Sequence, residues 1–357
     1  MDHINVLVVD DSAFMRRAIT KMLENEPDVH VVATARSGEE AIAKAEQVNP
    51  DIITMDVEMP GIGGLEAVRQ IAAHHRVPII MVSTLTRDGA ETTFRALENG
   101  AVDFIAKPDA AYTNINEVAR DLVRKIRTFA RRGARPFVES PLPRVAERKA
   151  PPSPPSQHPR QGREPFACVA IGTSTGGPVA LSHVIPYLPQ GFPTPIVIVQ
   201  HMPLGFTRPL ADRLNALSKI RVVEAATGMF LKPGVAFIVP SGRQLSLHRS
   251  LGDIEVRLVD DDGTSLHVPS VDVMDEHVAE IFGASSLGVI LTGMGQDGVR
   301  GLRKIKERGG YVVGQDEATC VVYGMPRAAA KEGLVDRVAA LDDMPYVLNE
   351  LVGAAKS

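Results

Sequence analysis

The first stretch of the chain that could do chemistry is a serine in a glycine-rich turn. Gly172-Thr173-Ser174-Thr175-Gly176 fits the G-x-S-x-G pattern, in which glycines allow the sharp turn that presents a nucleophilic serine. The turn follows the apolar run 168–171 and precedes an amphipathic segment, so a strand, a turn and a helix are predicted here. The same glycines would suit a loop that holds a phosphate through backbone N–H groups. This stretch alone leaves both roles open.

A histidine and an aspartate follow two other apolar runs. His201 comes after the run 196–199 and Gln200, and Asp297 lies in a glycine turn after the run 287–291. A serine, a histidine base and an orienting aspartate make a catalytic triad in whatever order the chain supplies them. A structural histidine and a helix-capping aspartate are the simpler alternatives. The pattern predicts that Ser174, His201 and Asp297 meet at one edge of a sheet.

A second polar group lies in the N-terminal part of the chain. Crowded carboxylates repel one another, and a hard cation such as Mg²⁺ relieves that repulsion while offsetting the charge of a phosphoryl group. Strand-end caps and a solvated lysine are the alternative interpretation. The carboxylates, hydroxyls and ammonium that follow its apolar runs are Asp10 and Asp11, Asp56, Ser83 and Thr84, and Lys107.

Both groups lie where short apolar runs alternate with helical periods, which is typical of parallel sheets covered on both faces. The first segment predicts a flavodoxin-like (βα)5 unit with strands at 4–9, 29–33, 52–55, 79–82 and 103–105. The second predicts strands at 168–171, 196–199, 235–239, 287–291 and 311–314, and a hairpin near 244–259. Its predicted helices include 205–217, 271–282, 298–308 and 344–352. The fold class is therefore α/β, with the second domain doubly wound and mostly parallel.

A basic, proline-rich stretch separates these segments. We expect a first domain at 1–130, a linker at 131–163 and a second domain at 164–357. Prolines deny the linker regular hydrogen-bonded structure and favour extended polyproline II, so we expect a spacer.

Composition excludes several classes of protein. The 357 residues are 44% apolar and 23% charged, and no apolar run approaches the roughly 18 residues needed to span a bilayer. The start Met1-Asp2-His3 is unlike a signal peptide, so we expect a cytoplasmic protein without membrane insertion. Two cysteines provide neither a disulfide framework nor a zinc spacing, and the net charge of −4 argues against nucleic-acid binding.

Taken together, the motifs resemble a known family. Residues 1–130 resemble a two-component receiver domain, and the C-terminal part resembles the chemotaxis response-regulator protein-glutamate methylesterases, the CheB family. The C-terminal resemblance rests on five motifs in order, namely Gly172-Thr173-Ser174-Thr175-Gly176-Gly177, Gln200-His201-Met202-Pro203, Pro269-Ser270-Val271-Asp272-Val273, Thr292-Gly293-Met294-Gly295-Gln296-Asp297-Gly298 and Tyr323-Gly324-Met325-Pro326.

The receiver resemblance implies a phosphoacceptor site. Asp56 would accept the phosphoryl group, and Ser83 and Lys107 would contact its oxygens. Mg²⁺ would be held by Asp10, Asp11, Asp56 and the backbone carbonyl of Glu58. A chemotaxis sensor histidine kinase would be the phosphodonor, and the receiver would inhibit the second domain until Asp56 is phosphorylated.

The CheB resemblance implies hydrolysis of glutamate γ-methyl esters on cytoplasmic helices of chemoreceptors, the methyl-accepting chemotaxis proteins. Some members also deamidate glutamine there. Ser174, His201 and Asp297 would form the triad without a cofactor. The Met294 amide would be one donor to the oxyanion, and Thr175 would orient His201 or the substrate.

Two other outputs remain as alternatives. In a receiver-gated nucleotide-binding protein, residues 172–177 would cradle phosphate, yet the run lacks the P-loop lysine and does not fit G-x-G-x-x-G. A DNA-binding output would require a helix-turn-helix or a basic recognition face, and the second half has neither pattern.

Overall fold

Each of the two parts of the chain builds its own parallel sheet. The structure, a computed structural model, describes residues 3–75, 77–84, 86–107, 115–132 and 165–353. The chain divides into two units between Leu142 and Pro143. The predicted linker 131–163 lies outside the described residues, except that 131 and 132 end the last helix of the first unit.

The first unit is a five-stranded sheet in the order β2-β1-β3-β4-β5, and every neighbouring pair is parallel. Strands β3 and β4 are buried along their whole length because helices cover both faces, which is why they are read as continuous apolar runs. The predicted (βα)5 fold is confirmed. The elements are β1 (Ile4–Val9), α1 (Ala13–Leu23), β2 (Val29–Ala35), α2 (Gly38–Val48), β3 (Ile52–Asp56), α3 (Gly63–His74), β4 (Ile79–Ser83), α4 (Arg87–Glu98), β5 (Asp103–Ala106) and α5 (Ile115–Arg132).

The second unit is a seven-stranded parallel sheet with a separate antiparallel hairpin, β10–β11. Its strand order is β14-β13-β12-β6-β7-β9-β8. The α helices and β strands are β6 (Cys168–Thr173), α6 (Gly177–Val184), β7 (Ile196–Gln200), α7 (Thr207–Leu217), β8 (Arg221–Glu224), β9 (Val235–Ile238), β10 (Gln244–Ser250), β11 (Asp253–Val259), α8 (Val271–Phe282), β12 (Ser286–Ile290), α9 (Val299–Glu307), β13 (Tyr311–Gln315), α10 (Met325–Lys331), β14 (Arg337–Ala339) and α11 (Met344–Val352).

The predicted doubly wound architecture and the hairpin are confirmed, but β8, α10 and β14 were not predicted. The two strands are four and three residues long and lie at the sheet edges. Edge strands are often short and polar, so they carry a weak sequence signal. No helix in the described part of the chain combines the length and the apolar character that a membrane span requires.

Both sheets have a point where the strand order reverses. In the first unit, the chain moves from β1 to β2 on one side and then to β3 on the other. In the second, β7 lies on one side of β6, and β12, which follows later in the chain, lies on the other. Ligands of open parallel sheets bind in the crevice at the carboxyl ends of the strands beside such a reversal. The polar residues singled out in the sequence lie at these two crevices.

Candidate active site and phosphoacceptor site

The three candidate triad residues follow three adjacent strands of the second sheet. Ser174 comes directly after β6 and His201 directly after β7, while Asp297 lies in the turn between β12 and α9. Parallel pairing aligns the ends of these strands, with Gly172 beside Val199 on one side and Ile290 on the other. The three residues therefore follow adjacent strands at one edge of the sheet, beside the strand reversal between β6 and β12.

The nucleophile turn is tightly packed. Gly176 has a φ of 78°, a left-handed conformation that favours glycine, and it begins α6. A Cβ at Gly177 would lie 1.8 Å from Oε1 of Gln200, so only glycine fits there. The Ser174 N–H donates to the carbonyl of Thr292 (3.1 Å), and the Gly177 N–H donates to the carbonyl of Ser174 (2.8 Å). The turn is thereby tied to the end of β12.

Gln200 links the nucleophile to the candidate base. Its buried Nε2 donates to the carbonyls of Ser174 and His201, both at 2.8 Å. The His201 N–H donates to the carbonyl of Thr173 at 3.1 Å. No role was predicted for Gln200; its place between an apolar strand and the histidine was the available signal.

The imidazole of His201 is paired with Asp297. Nε2 of His201 lies 2.8 Å from Oδ2 of Asp297. An ionised carboxylate only accepts hydrogen bonds, so Nε2 carries the proton and Nδ1 carries the lone pair of the neutral ring. Nδ1 is buried and has no hydrogen-bond partner among the described residues, including Ser174. The nitrogen available as a base is therefore Nδ1.

Asp297 is held by the N-terminus of α8. Its carboxylate accepts hydrogen bonds from the Ser270 hydroxyl (2.9 Å) and from the N–H groups of Val271 (2.8 Å) and Asp272 (3.0 Å). Burial works in the opposite direction, but the hydrogen bond and charge of His201 together with these amides lower the pKa of Asp297 below its ordinary value. Asp297 thus stays ionised beside the imidazole.

Asp297 also fills the helix-capping role that was the simpler alternative for it. Asp297 caps α8, whereas α9, which follows it in sequence, has Gly298 as its N-cap residue and so no side chain at that position. Asp272 of α8 supplies the reciprocal contact, because its Oδ1 accepts from the N–H groups of Gly298 (3.0 Å) and Gly301 (2.8 Å). The N-terminus of α8 is therefore capped by Asp297, which precedes α9, and the N-terminus of α9 is capped by Asp272, which lies in α8. No role was predicted for Asp272 or Ser270, although both lie in the motif Pro269-Ser270-Val271-Asp272-Val273.

A second histidine covers one face of the candidate base. The rings of His201 and His267 are stacked, with centroids 4.2 Å apart and planes inclined by 22°. No residue pattern around His267 predicts this contact. Stacking restricts rotation of the His201 ring, as does the hydrogen bond that the ring donates to Asp297.

The two remaining predicted residues lie close to Ser174. A Cβ on Gly293 would be 2.9 Å from the Cβ of Ser174, so the residue before Met294 lies against Ser174. Thr175 is buried, and its carbonyl accepts from the Thr292 hydroxyl at 2.9 Å. The oxyanion role of Met294 and the orienting role of Thr175 stay predictions.

The crevice of the first sheet holds the acidic group. Nζ of Lys107 lies 2.7 Å from Oδ2 of Asp56 and 3.3 Å from Oδ2 of Asp10. Asp10 and Asp56 are buried, whereas Asp11 is exposed, and one carboxylate oxygen from each of the three lies within 4.8 Å of the others. The predicted convergence of carboxylates and an ammonium is therefore present.

The electrostatics of this crevice suit a cation. Burial raises the pKa of Asp56 to about 6; the Asp10 carboxylate adds to the increase, and Lys107 opposes it. The pKa of Asp10 is also raised, again mainly by burial. Two partly desolvated carboxylates that lie this close together are difficult to ionise at the same time. A hard divalent cation bound to their oxygens would offset the repulsion between them. The residues fit Mg²⁺ on these grounds.

Two predicted receiver residues have other contacts. The buried Ser83 hydroxyl lies 3.1 Å from the carbonyl of Gly89 in α4 and 3.2 Å from that of Thr84. The Glu58 N–H donates to Oδ1 of Asp56 at 3.2 Å. The phosphoryl contact of Ser83 and the metal contact of the Glu58 carbonyl stay predictions.

Comparison with known proteins gives consistent matches over both units. The sequence pattern described as CheB methylesterase matches residues 169–348, and that of the response regulator receiver domain matches residues 6–118. A protein-glutamate methylesterase/protein-glutamine glutaminase of Lawsonia intracellularis is 43% identical over 350 residues, covering 95% of this chain and 96% of the relative. One of the same name from Halalkalibacterium halodurans is 44% identical over 342 residues, covering 95% of each chain. The crystal structure of the Thermotoga maritima CheB methylesterase catalytic domain matches 52% of this chain and 99% of its own, with 44% identity and a TM-score of 0.51.

Proposed function

This chain belongs to the CheB methylesterase family and carries a response regulator receiver domain, and from that premise we propose that it hydrolyses glutamate γ-methyl esters on chemoreceptors. Deamidation of glutamine on the same receptors is included, because the relatives are named for both activities. The observation that carries the proposal is the meeting of the Ser174 turn with the His201–Asp297 pair at the strand reversal between β6 and β12.

Acylation uses the three side chains in defined roles. Ser174 Oγ attacks the ester carbonyl while Nδ1 of His201 takes the hydroxyl proton. Asp297 keeps the proton of Nε2 in place and stabilises the imidazolium that forms. The imidazolium then protonates the departing methoxide, so methanol leaves and a glutamyl ester of Ser174 remains. Such acid–base assistance contributes roughly 10²–10⁴-fold.

Deacylation reverses the proton path. A water molecule loses a proton to Nδ1 of His201 as it attacks the glutamyl ester, and Ser174 recovers that proton as glutamate leaves. For a glutamine substrate, the same steps release ammonia in place of methanol. The negative oxygen formed in each step requires N–H donors, and Met294 is the proposed one.

The receiver site is proposed to control this activity. A sensor histidine kinase of the chemotaxis system is the proposed phosphodonor to Asp56, with Lys107 and Ser83 at the phosphoryl oxygens. Asp10, Asp11, Asp56 and the Glu58 carbonyl would hold Mg²⁺, which when bound offsets negative charge at the phosphoryl group. The unphosphorylated receiver inhibits hydrolysis. Phosphorylation relieves inhibition only if it favours the active state over the inhibited one.

The nucleotide-binding alternative has less support. A phosphate cradle requires unpaired backbone N–H groups, but those of Ser174 and Gly177 already donate to the carbonyls of Thr292 and Ser174. Titration of the chain with nucleotides should therefore give no saturable binding in residues 165–353.

Methanol release from methylated receptor membranes tests the proposal. The wild-type chain should release methanol, and Ser174→Ala should reduce release to the rate of membranes alone. Ser182→Ala is the matched control, since the Ser182 hydroxyl donates to the Pro178 carbonyl within α6 (3.0 Å). Substantial release by Ser174→Ala would remove the nucleophile assignment. A chain without residues 1–130 should be faster than the unphosphorylated full chain, and a slower one would contradict inhibition.

A further inference from the structure

Thr292, two residues after β12, connects three segments around the nucleophile. The residue is 1% exposed. Its hydroxyl donates to the carbonyl of Thr175 (2.9 Å) and accepts from the N–H of Val322 (3.0 Å). Its carbonyl accepts from the N–H of Ser174 (3.1 Å) and from the hydroxyl of Thr173 (2.9 Å). One buried side chain therefore joins the nucleophile turn to the segment 320–325.

The segment 320–325 in turn holds the peptide after Thr292. The N–H groups of Gly324 (3.1 Å) and Met325 (2.9 Å) both donate to the carbonyl of Gly293, and the Gly293 N–H donates to the carbonyl of Val322 (3.0 Å). A Cβ at Gly324 would lie 2.6 Å from the Gly293 carbonyl oxygen, so this approach requires glycine. The Gly293 carbonyl is thereby fixed in direction.

Fixing that carbonyl also fixes the proposed oxyanion donor. The Gly293 carbonyl and the Met294 N–H belong to one peptide unit, and in a trans peptide the two groups point in opposite directions. Hydrogen bonds on the carbonyl therefore determine where the Met294 N–H points. An oxyanion donor acts well only near 2.7–3.1 Å from the developing charge, so its direction matters before substrate arrives.

We propose that Thr292 is a positioning residue, whose hydroxyl keeps the Ser174 turn and the Met294 N–H in register through the segment 320–325. The inference rests on the proposed function, in which Met294 stabilises the oxyanion. Removing the hydroxyl would break its bonds to Thr175 and Val322 at once. Losing a whole oxyanion donor lowers kcat by about 10²–10³-fold. Misaligning one should lower kcat by about 10- to 100-fold, with KM nearly unchanged because the ground-state ester carries no oxyanion.

Substitutions in the full chain separate positioning from simple stability. Thr292→Val keeps the shape and removes the hydroxyl, whereas Thr292→Ser keeps the hydroxyl. Thr194→Val is the matched control: Thr194 is also buried, and its hydroxyl donates to the carbonyl of Phe166 (3.2 Å) before β7 begins, away from the carboxyl ends of the strands. Initial rates of methanol release at varied receptor concentration give kcat and KM.

We expect the kcat loss in Thr292→Val alone, with rescue by Thr292→Ser and with Thr194→Val near wild type. The inference is overturned if Thr292→Val keeps the kcat of Thr194→Val, or if Thr292→Ser falls as far as Thr292→Val. Should Thr292→Val not fold, Gly324→Ala displaces the Gly293 carbonyl directly and must give the same kcat loss at constant KM.

A second readout does not depend on turnover. The chain is labelled with ¹⁵N-methionine, and the Met294 amide signal is identified by its loss in Met294→Leu. Thr292→Val should shift this signal, and Thr194→Val should not; equal spectra would overturn the inference. If the wild type releases no methanol, the proposed function fails, while the Met294 signal still decides whether Thr292 sets this peptide.

Discussion

Asp56 and Asp297 are the same residue type in equivalent places but in opposite electrostatic states. Each is mostly buried at the carboxyl edge of a parallel sheet, beside the point where the strand order reverses. Burial raises the pKa of Asp56 to about 6, with Asp10 adding to the effect. The pKa of Asp297 is lowered, despite burial, by His201 and by the amides at the start of α8.

The difference comes from the neighbours. Asp56 shares its crevice with another carboxylate and one ammonium, so its ionised form is poorly stabilised until a cation or a chemical change intervenes. Asp297 is surrounded by donors, so its charge is satisfied and its orientation is fixed. The first arrangement suits a site that changes state, and the second suits a site that holds an imidazole still.

The largest effect expected from this comparison is that of Asp297→Asn. An amide in this position loses the charge that stabilises imidazolium and presents N–H₂ donors where donors already converge. Removal of the charge from a triad aspartate lowers kcat by about 10⁴-fold in a related arrangement, and we expect about 10³–10⁴-fold in methanol release. Asp272→Asn is the control, because Asp272 accepts from the N–H groups of Gly298 and Gly301, whereas among the described residues the carboxylate that pairs with His201 is that of Asp297. Equal losses in both variants would make Asp297 a helix cap only.

Asp56→Asn should abolish stimulation by a phosphodonor without abolishing hydrolysis itself. A small-molecule phosphodonor should stimulate methanol release by the wild type, and the variant should give no stimulation because its side chain cannot form the acyl phosphate. Asp51→Asn, at the opposite end of β3, should respond as the wild type does, since its carboxylate accepts from the Asn5 N–H. Stimulation that persists in Asp56→Asn would show that another residue is the phosphoacceptor.

Stability should change with opposite signs at the two aspartates. The folded chain binds a proton at Asp56 more tightly than the unfolded chain does, so the free energy of unfolding falls as pH rises from the ordinary pKa of 3.8 to about 6. That interval corresponds to roughly 3 kcal/mol. Without Mg²⁺, Asp56→Asn should be more stable than the wild type at pH 8, and the gain should vanish near pH 4.

At Asp297 the sign is reversed. Its lowered pKa stabilises the fold above the ordinary pKa of 3.8, and that contribution is lost as pH falls further. Asp297→Asn should therefore be less stable than the wild type at pH 8. Denaturant unfolding of the full chain in chelator, followed at pH 8 and pH 4, measures both. Destabilisation by Asp56→Asn at pH 8 would contradict the inference that burial and the nearby Asp10 make the ionised Asp56 unfavourable in the folded chain.

The sequence was sufficient to place these aspartates but not to assign their charge states. Apolar runs and turn glycines are local signals, and parallel strands bring their carboxyl ends together, so the convergence around Ser174 and around Asp56 could be predicted. The state of each carboxylate depends on groups far away in the chain. Asp297 accepts from the N-terminus of α8, which begins 26 residues earlier, and Asp56 is paired with Lys107 across the sheet.

The same limit explains which positioning residues were missed. Gln200 and Thr292 bond backbone carbonyls of other segments, and Ser270 bonds the carboxylate of Asp297. No residue pattern specifies those contacts before the elements pack. The Thr292 hydroxyl bonds Thr175, which lies 117 positions earlier in the chain, and Val322, which lies 30 positions later.

The smallest expected effect compares two serine caps. Ser12 begins α1 next to Asp10, and Ser270 begins α8; each hydroxyl accepts from an N–H three residues ahead, at 3.4 Å. Of the two serines, Ser270 also donates to the carboxylate that pairs with His201, namely Oδ1 of Asp297 at 2.9 Å. Replacing either serine by alanine should cost about 1 kcal/mol of stability through the lost cap.

Activity should separate the two caps where stability does not. Ser270→Ala removes one donor from Asp297, so the pKa of that carboxylate should rise. We expect kcat to fall by less than about tenfold, because the amides of Val271 and Asp272 still hold the carboxylate and the lost bond acts on the reaction only through Asp297. Ser12→Ala should leave unstimulated methanol release at the wild-type rate. Unfolding curves and kcat for both variants are the measurement. If Ser270→Ala loses stability without losing kcat, the backbone amides of α8 alone are enough to hold Asp297, and the serine belongs with Ser12 as a cap.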